Sequence, residues 1–242
     1  MSNSTPTALD GLLIVNKPAG ITSAKALYRV RRLTGQRKSG HAGTLDPAAT
    51  GVLIICLGKA TKLVERLMDL PKAYRAEARL DVTSLSFDSD EPLIDVPAER
   101  VPTELEVREA FAAFVGTIEQ VPPALSAIKV GGMPAYKHAR KGAPVELKAR
   151  PVRIDRIDVL EYGWPVVTFE MQCGRGTYVR SLIRDVGARL RTGGCLVSLE
   201  RLAVGPFHVQ DALRLEDSLV GSDVIARVIS MASVEEFIGR PG

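Results

Sequence analysis

The chain has 242 residues, 45% of them hydrophobic, and a formal net charge of +4, so it can bury a substantial core as one large domain, alone or with a small appendage. The weak positive charge permits nucleic-acid binding without requiring it. Cys56, Cys173 and Cys195 are far apart and form no CxxC motif, which argues against a disulfide framework or a structural zinc site and suits a reducing cytoplasm. The first ten residues have no apolar signal core and no apolar run reaches membrane length, so we expect a soluble, cytoplasmic protein.

The first third of the chain alternates between predicted strands and helices, without an internal repeat. In chain order we expect a flexible segment at residues 1–10, a strand at 12–15, a helix capped by Thr22 or Ser23 and ended by Gly35, a buried strand at 52–57 and a helix at 60–70. The first helix carries Lys25, Arg29 and Arg32 on one face, a pattern that a solvated surface also explains.

The segment before the buried strand holds a single acid, Asp46. Gly40, Gly43, Gly51 and Pro47 bracket it, which predicts a tight loop that presents the carboxylate rigidly. An Asx-turn ahead of the proline is the structural alternative. Residues 16–38 contain seven Lys or Arg and no acid, and such surroundings keep an aspartate ionised and attract an anionic partner.

An alternating strand is predicted from Tyr74, with Tyr74, Ala76 and Ala78 on its apolar face. By itself this pattern favours a core or rim aromatic at position 74. Residues 81–106 hold eight Asp or Glu against one Arg, and we expect them to face solvent. Thr103 and Glu106 form a capping box that opens a helix.

A basic segment follows at residues 122–156, with eight Lys or Arg against two acids. Its glycines and prolines predict an ordered loop with a short helix. Tyr136 and His138 lie among the cations, a combination typical of an arm that follows phosphates and stacks on bases, although a merely soluble loop is the alternative.

Two further strands, at 152–160 and 166–173, lead to a helix that begins after Thr177. Tyr178 and Arg180 lie in its first turn. An arginine near a helix start gains nothing from the helix dipole, so we expect a specific anionic partner, for which Asp46 is the candidate. A last strand at 196–204 carries Leu199.

Four ordered motifs resemble the TruB family of tRNA pseudouridine synthases, and the resemblance spans roughly residues 11–210. They are NKPAGITS at residues 16–23, GHAGTLDPAATG at 40–51, KAYR at 72–75 and GTYVR at 176–180. The resemblance implies an α+β pseudouridine synthase fold, with a large mixed, mostly antiparallel sheet, flanking helices and a central RNA-binding cleft. It also implies an isomerase that converts uridine to pseudouridine in the T loop of tRNA, at position 55, after flipping the base.

The resemblance also assigns roles to particular residues. Asp46 matches the catalytic aspartate, and Arg180 suits the guanidinium that holds it. Tyr74 matches the tyrosine on which the flipped base stacks. His41, Tyr178 and Leu199 match residues around that base, although a loop histidine and ordinary core packing explain them as well. The implied reaction needs no cofactor or metal.

Recognition of the RNA backbone is expected from Lys17, Lys129, Lys137, Arg140 and Lys141, although the motif around Lys17 also has an architectural interpretation. Residues 122–156 resemble the thumb-like insertion that grips the tRNA T arm. We expect a catalytic domain at 11–210 and a short tail at 211–242 in which the C-terminal PUA module of bacterial members is absent or truncated. The expected partner is a tRNA T stem-loop. We expect the protein to bind it as a monomer and not to associate with a membrane.

Three other functions remain as alternatives. They are a non-catalytic tRNA-folding chaperone on the same scaffold, a guide-RNA-dependent pseudouridine synthase and, more remotely, a carboxylate hydrolase. Both Asp46 and Arg180 are present, which favours catalysis over a chaperone. A hydrolase needs a second paired acid, and none of the motifs supplies one.

Overall fold

The computed structural model describes residues 9–126, 128–135, 138, 147–216 and 218–238. They form an α+β fold whose largest sheet has eleven strands and is mostly antiparallel, as the sequence predicts. The strands in chain order are β1 (Gly11–Lys17), β2 (Ser39–Ala42), β3 (Thr50–Leu57), β4 (Lys72–Arg79), β5 (Val82–Thr83), β6 (Ile94–Asp95), β7 (Gly116–Gln120), β8 (Lys129–Val130), β9 (Met133–Pro134), β10 (Arg150–Gly163), β11 (Val166–Cys173), β12 (Cys195–Val204), β13 (Phe207–His208), β14 (Leu213–Arg214) and β15 (Ile229–Ser230). The α-helices are α1 (Ser23–Thr34), α2 (Val64–Asp69), α3 (Glu104–Ala112), α4 (Val179–Leu190), α5 (Gly221–Ala226) and α6 (Met231–Ile238).

The chain divides into two compact units, unit 1 with residues 1–72 and 200–242 and unit 2 with residues 73–199. In unit 1, β1 and β3 pair antiparallel along their length, with Leu12 opposite Cys56 and Asn16 opposite Val52. Both strands are buried almost throughout, which explains why their sequences are apolar runs without alternation. Strand β2 pairs antiparallel with β3, and the end of β12 pairs parallel with the start of β3.

Helix α1 begins and ends where the sequence predicts. The Thr22 hydroxyl accepts a hydrogen bond from the Lys25 backbone N–H at 3.1 Å, and Gly35 ends the helix in the left-handed conformation with φ 69°. The predicted helix at residues 60–70 is different, because a 3₁₀ helix, Gly58–Leu63, precedes α2. The Lys59 N–H in the first turn of that segment donates to the Asp10 carboxylate at 2.7 Å, and the segment closes with the tighter i→i+3 pattern.

Unit 2 contains the alternating strands. They follow the order β4, β11, β10, β7, and β10 pairs antiparallel with both β11 and β7. The predicted faces are confirmed, since Tyr74, Ala76 and Ala78 of β4 are buried. The capping box of Thr103 and Glu106 is confirmed at the start of α3. Helix α3 packs on the sheet through Phe111, whose ring centroid lies 4.8 Å from that of Phe169.

The acidic segment at residues 81–106 departs from the prediction that it faces solvent. Ser84, Ser86 and Asp88 are buried, with 4%, 3% and 8% of their surface exposed. The Ser84 hydroxyl donates to the Asp88 carbonyl at 2.6 Å, and Asp88 forms an isolated parallel bridge with Leu196. The prediction is therefore wrong for the first part of the segment, because local hydrogen bonds compensate the burial of its polar groups.

The last part of the basic segment, residues 150–156, belongs to strand β10. There Arg153 pairs with Asp155 at 3.0 Å and Arg156 pairs with Asp158, so two of the eight cations are matched by neighbouring acids. The hairpin of β8 and β9 lies within the segment. Tyr136, Lys137, Arg140 and Lys141 lie outside the described residues.

Among the helices of the described ranges, none is long and apolar enough to cross a membrane.

The first testable prediction concerns Gly51, at the start of β3. Its φ is +101°, and a Cβ there would lie 2.3 Å from the Arg201 carbonyl oxygen of β12. Gly51→Ala should therefore lower the free energy of unfolding by about 2–5 kcal/mol, from backbone strain plus overpacking. Denaturant unfolding measures the change.

The matched control for Gly51→Ala is Gly40→Ala on β2, where a Cβ meets no atom within 4 Å and the backbone is not left-handed. It should change the free energy of unfolding by no more than about 0.5 kcal/mol. Equal losses in the two variants would contradict the close approach of β12 to Gly51.

Candidate active site

The predicted catalytic acid, Asp46, lies in the loop of residues 43–49, which joins β2 to β3 in unit 1. We call this segment the Asp46 loop. Asp46 is half-buried, and the Ala49 backbone N–H donates to its carbonyl oxygen at 3.2 Å, which closes a turn over Pro47. Gly43 has φ +88°, a conformation that a glycine adopts without strain.

Lys17 holds the residue that follows Asp46. Its ammonium group is fully buried and donates to the carbonyls of Pro18, Ile21 and Pro47 at 2.8, 2.8 and 3.1 Å. The prediction that Lys17 contacts the RNA backbone is therefore wrong, because an amine enclosed by backbone carbonyls cannot reach a phosphate. Its architectural interpretation is correct.

Two other buried side chains hold the Asp46 loop. The Ser23 hydroxyl accepts from the Leu45 N–H at 2.8 Å and lies 3.0 Å from the Leu45 carbonyl, to which it donates. The Arg201 guanidinium donates from Nε to the Val52 carbonyl at 2.7 Å and from Nη2 to the Gly43 carbonyl at 3.1 Å. Side chains from three separate elements therefore hold the loop. As a result, the backbone that carries the Asp46 carboxylate is fixed.

His41 lies on β2, two residues before Gly43, and is half-buried. Burial lowers the pKa of its imidazole, and the positive charge of Arg201 lowers it further, and both effects favour the neutral form of the ring. Its Nδ1 atom is buried and has no hydrogen-bond partner within the described part of the chain. A neutral ring of this kind suits packing against an uncharged base better than contact with a phosphate.

Unit 2 contains Tyr74, Tyr178, Arg180 and Leu199. Tyr74 lies on β4 with 9% of its surface exposed, and Leu199 lies half-buried on β12. Tyr178 is the N-cap residue of α4, so Arg180 falls in the first turn of that helix, as predicted.

The start of α4 is clamped by a buried amide. Gln120, with 1% of its surface exposed, accepts from the Tyr178 backbone N–H at 2.8 Å and donates to the Tyr178 carbonyl at 3.2 Å. Arg150 lies over the Tyr178 ring, 5.3 Å from its centroid, and donates to the Gly176 carbonyl at 2.7 Å. Both contacts fix Tyr178 at the start of α4.

Arg180 is 5% exposed and has its own set of acceptors in unit 2. It donates to the carbonyls of Ser86 and Leu125 at 3.0 and 3.2 Å, and its Nε lies 3.4 Å from a carboxylate oxygen of Asp88. The other carboxylate oxygen accepts from the Asp90 N–H at 3.1 Å. The expected anionic partner therefore includes Asp88, and the pairing of Arg180 with Asp46 stays a prediction.

The side chains of the remaining basic residues of the predicted RNA surface lie outside the described part of the structure. Lys129 contributes backbone to β8, and Lys137, Arg140 and Lys141 are outside the described residues. Their contacts with RNA stay predictions.

Three residues that hold the site were missed from the sequence. Asp88 was hidden within the acidic segment, where every acid was read as solvated. Arg201 shares the alternation of Cys195, Leu199 and Ala203 on β12, and a cation on an apolar strand face signals a buried role. Gln120 ends a short strand and has no such signal.

The chain is similar to known proteins of one family. The model of the "TruB family pseudouridylate synthase (N terminal domain)" matches residues 31–179. The tRNA pseudouridine synthase B of Syntrophobacter fumaroxidans is 43% identical over 92% of this chain and 74% of the relative. The protein of the same name from Mycobacterium sp. (strain KMS) is 47% identical over 95% of this chain and 78% of the relative.

Solved structures share the fold. The crystal structure of a Cbf5-Nop10-Gar1 complex contains a chain with a TM-score of 0.72 and 27% identity, which covers 95% of this chain and 62% of that one. An H/ACA RNP bound to a substrate RNA containing 2'-deoxyuridine contains another, with a TM-score of 0.65 and 27% identity, which covers 87% of this chain and 52% of that one.

Together the fold and the rigid carboxylate loop define a pseudouridine synthase, an RNA-binding isomerase. Within that class, the match over residues 31–179 and the identities of 43% and 47% show that the chain belongs to the TruB family. The fold class and the family predicted from the sequence are confirmed.

The second prediction tests the buried pair of Arg180 and Asp88. Asp88→Asn removes the charge while keeping the side-chain volume, so the Arg180 guanidinium loses a carboxylate partner in a desolvated place. The free energy of unfolding should fall by about 2–4 kcal/mol, as measured by denaturant titration.

An exposed pair in the same unit supplies the control for Asp88→Asn. Glu104 pairs with Arg108 at 2.6 Å on the surface of α3, and Glu104→Gln should change the free energy of unfolding by no more than about 0.5 kcal/mol. If Asp88→Asn were as mild as this control, Asp88 would not be the anchor of Arg180.

Proposed function

We propose that this chain isomerises uridine to pseudouridine in the T loop of tRNA, at position 55. The family membership and the names of the two bacterial relatives support tRNA as the substrate. The observation that carries the proposal is the Asp46 loop, in which buried side chains hold the backbone on both sides of one carboxylate. Catalysis by a positioned carboxylate needs this rigidity.

The chemistry needs few groups. The N1–C1′ glycosidic bond of the uridine breaks, the base rotates, and a bond forms between C5 and C1′. C5 then loses its proton and N1 gains one, so the atoms balance without a cofactor. Asp46 is the proposed catalytic residue, either by attacking the base at C6 or by stabilising a positively charged sugar.

The other proposed site residues receive the base. Flipping a base out of its stack costs about a few kcal/mol, which contact with an aromatic side chain offsets. Tyr74 is the proposed stacking residue, and its hydroxyl is proposed to assist proton transfer. His41, Tyr178 and Leu199 are the proposed pocket around the uracil. Arg180 is proposed to orient Asp46 and keep it ionised.

We also propose the wider recognition surface. Lys129, Lys137, Arg140 and Lys141 follow the tRNA backbone from the basic segment, within a catalytic domain at residues 11–210. The protein acts as a monomer in the cytoplasm, in keeping with a tRNA substrate and with three buried cysteines that form no disulfide.

A second candidate function is a guide-RNA-dependent synthase, which the likeness to chains in the Cbf5-Nop10-Gar1 complex and the H/ACA RNP brings into consideration. The identity to those chains is 27%, whereas the identity to the two tRNA pseudouridine synthase B proteins is 43% and 47%. The difference favours action on tRNA without a guide. Pseudouridine formation in a T stem-loop by the purified chain, with no other RNA, distinguishes the two.

The third prediction concerns the proposed catalytic acid. Asp46→Asn keeps the size of the side chain and removes its charge, so turnover of a tRNA T stem-loop should fall below detection while the RNA dissociation constant stays within a few fold. Pseudouridine content and RNA binding are measured on the same preparations. The control is Asp211→Asn, an exposed acid in unit 1, which should turn over like wild type. Turnover by Asp46→Asn would falsify the assignment.

The fourth prediction separates the two proposed tasks of Tyr74. Tyr74→Leu removes the aromatic face and should lower kcat by about a hundredfold or more, since base–aromatic stacking contributes about 1–3 kcal/mol and the base would also be misplaced. Tyr74→Phe keeps the face and tests the hydroxyl alone. Steady-state kinetics with a T stem-loop measure kcat for both variants. Wild-type values in both would mean that Tyr74 is an ordinary core aromatic.

A further inference from the structure

Arg201 is a cation in an unusual place. It lies on β12 with 2% of its surface exposed, on the strand face that also carries Cys195 and Ala203. Its hydrogen bonds go to two backbone carbonyls, and in the described part of the chain it has no carboxylate within ion-pair distance. Burying a guanidinium in this way costs desolvation energy that an aliphatic side chain would not cost. The residue is therefore a poor choice for stability alone.

The two acceptors of Arg201 lie on either side of Asp46 in the chain, one at the start of the Asp46 loop and one in β3, beyond its end. The Gly43 carbonyl is at its first residue, 3.1 Å from Nη2, and the Val52 carbonyl follows its last residue by three positions, 2.7 Å from Nε. The planar guanidinium has a fixed geometry, so its two hydrogen bonds set the distance between the Gly43 and Val52 carbonyls. The backbone of Arg201 also packs against Gly51, which tightens the same junction.

We propose that Arg201 is a positioning residue for the isomerisation. It holds the backbone on both sides of Asp46 and so determines where the carboxylate lies. The inference rests on the proposed function, in which Asp46 is the catalytic residue. Ser23 and Lys17 hold Leu45 and Pro47, the residues next to Asp46. Arg201 acts from further away, through the path of the backbone between its two acceptors.

This role has a particular kinetic signature. Arg201 is buried within unit 1 and is not a contact for RNA, so its loss should leave substrate affinity nearly unchanged. Misplacing a catalytic group by about 1 Å costs about a hundredfold in rate. The expected effect is therefore on kcat with little change in KM, whereas a loss of RNA contacts would raise KM.

The test uses Arg201→Lys in the full chain, with a tRNA T stem-loop as substrate. A lysine keeps the charge but lacks the fork needed to span both carbonyls. At a temperature where the variant is shown to be folded, kcat should fall about ten- to a hundredfold while KM stays within about twofold. A folded Arg201→Lys with wild-type kcat overturns the proposal.

Ser23→Ala keeps the test decisive if Arg201→Lys does not fold. It frees the N–H and carbonyl of Leu45 and loosens the same loop from the other side, so kcat should again fall with KM unchanged. Wild-type kcat in Ser23→Ala would overturn the claim that loop position limits the reaction. Tyr162→Phe is the control, since it removes a hydrogen bond of 2.7 Å to the Pro102 carbonyl in unit 2 and should alter stability but not kcat.

Asp46→Asn is measured beside these variants so that the two proposals fail separately. If Asp46→Asn turns over, the proposed function of Asp46 is wrong and the role of Arg201 falls with it. If Asp46→Asn is inactive while folded Arg201→Lys matches wild type, the function stands and the positioning role of Arg201 is overturned.

Discussion

The proposed catalysis by Asp46 depends on the hydrogen bonding of buried side chains to the backbone of one short loop. The side chains come from three elements: Lys17 from β1, Ser23 from α1 and Arg201 from β12. Each forms hydrogen bonds with the backbone of residues 43–52. Two of the three are cations without solvent access, and the carbonyl oxygens offset part of their desolvation cost. Because the loop is fixed from the first strand, the first helix and a late strand, its geometry forms when unit 1 folds. Catalytic groups that are placed before the substrate arrives need no reorganisation during the reaction.

Unit 2 uses the same principle at the start of α4. The Gln120 amide binds both the N–H and the carbonyl of Tyr178, and Arg180 divides its donors between two carbonyls and the Asp88 carboxylate. A helix start has free N–H groups and a positive dipole end, so a guanidinium there is unfavourable unless acceptors surround it. The buried polar residues of the acidic segment supply two of these acceptors, the Ser86 carbonyl and the Asp88 carboxylate. This gives a physical reason for a buried Asp88 in a segment that otherwise has the composition of a solvated loop.

Much of this arrangement was predictable from the sequence, and the exceptions have identifiable causes. The uninterrupted apolar run of β3 and the alternation that begins at Tyr74 depend on local periodicity, so both were predicted correctly. The helix start at Tyr178 followed from the turn residues before it. Asp88 and Arg201 could not be assigned in the same way, because their burial depends on partners more than ninety residues away in the chain, and composition records only their charge. Lys17 shows a related limit. Its motif was recognised in the sequence, but the sequence did not reveal that its ammonium group is buried.

Amide hydrogen exchange in the RNA-free protein tests the central claim most directly, because it reports whether the Asp46 loop is formed before substrate binds. The N–H groups of Leu45 and Ala49 donate to the Ser23 hydroxyl and to the Asp46 carbonyl, and NMR can follow both. If the buried side chains hold the loop, both amides should exchange at least about a hundredfold more slowly than in an unstructured peptide. Exchange at the rate of a free peptide, with protection gained on RNA binding, would contradict the account and show that the substrate builds the loop.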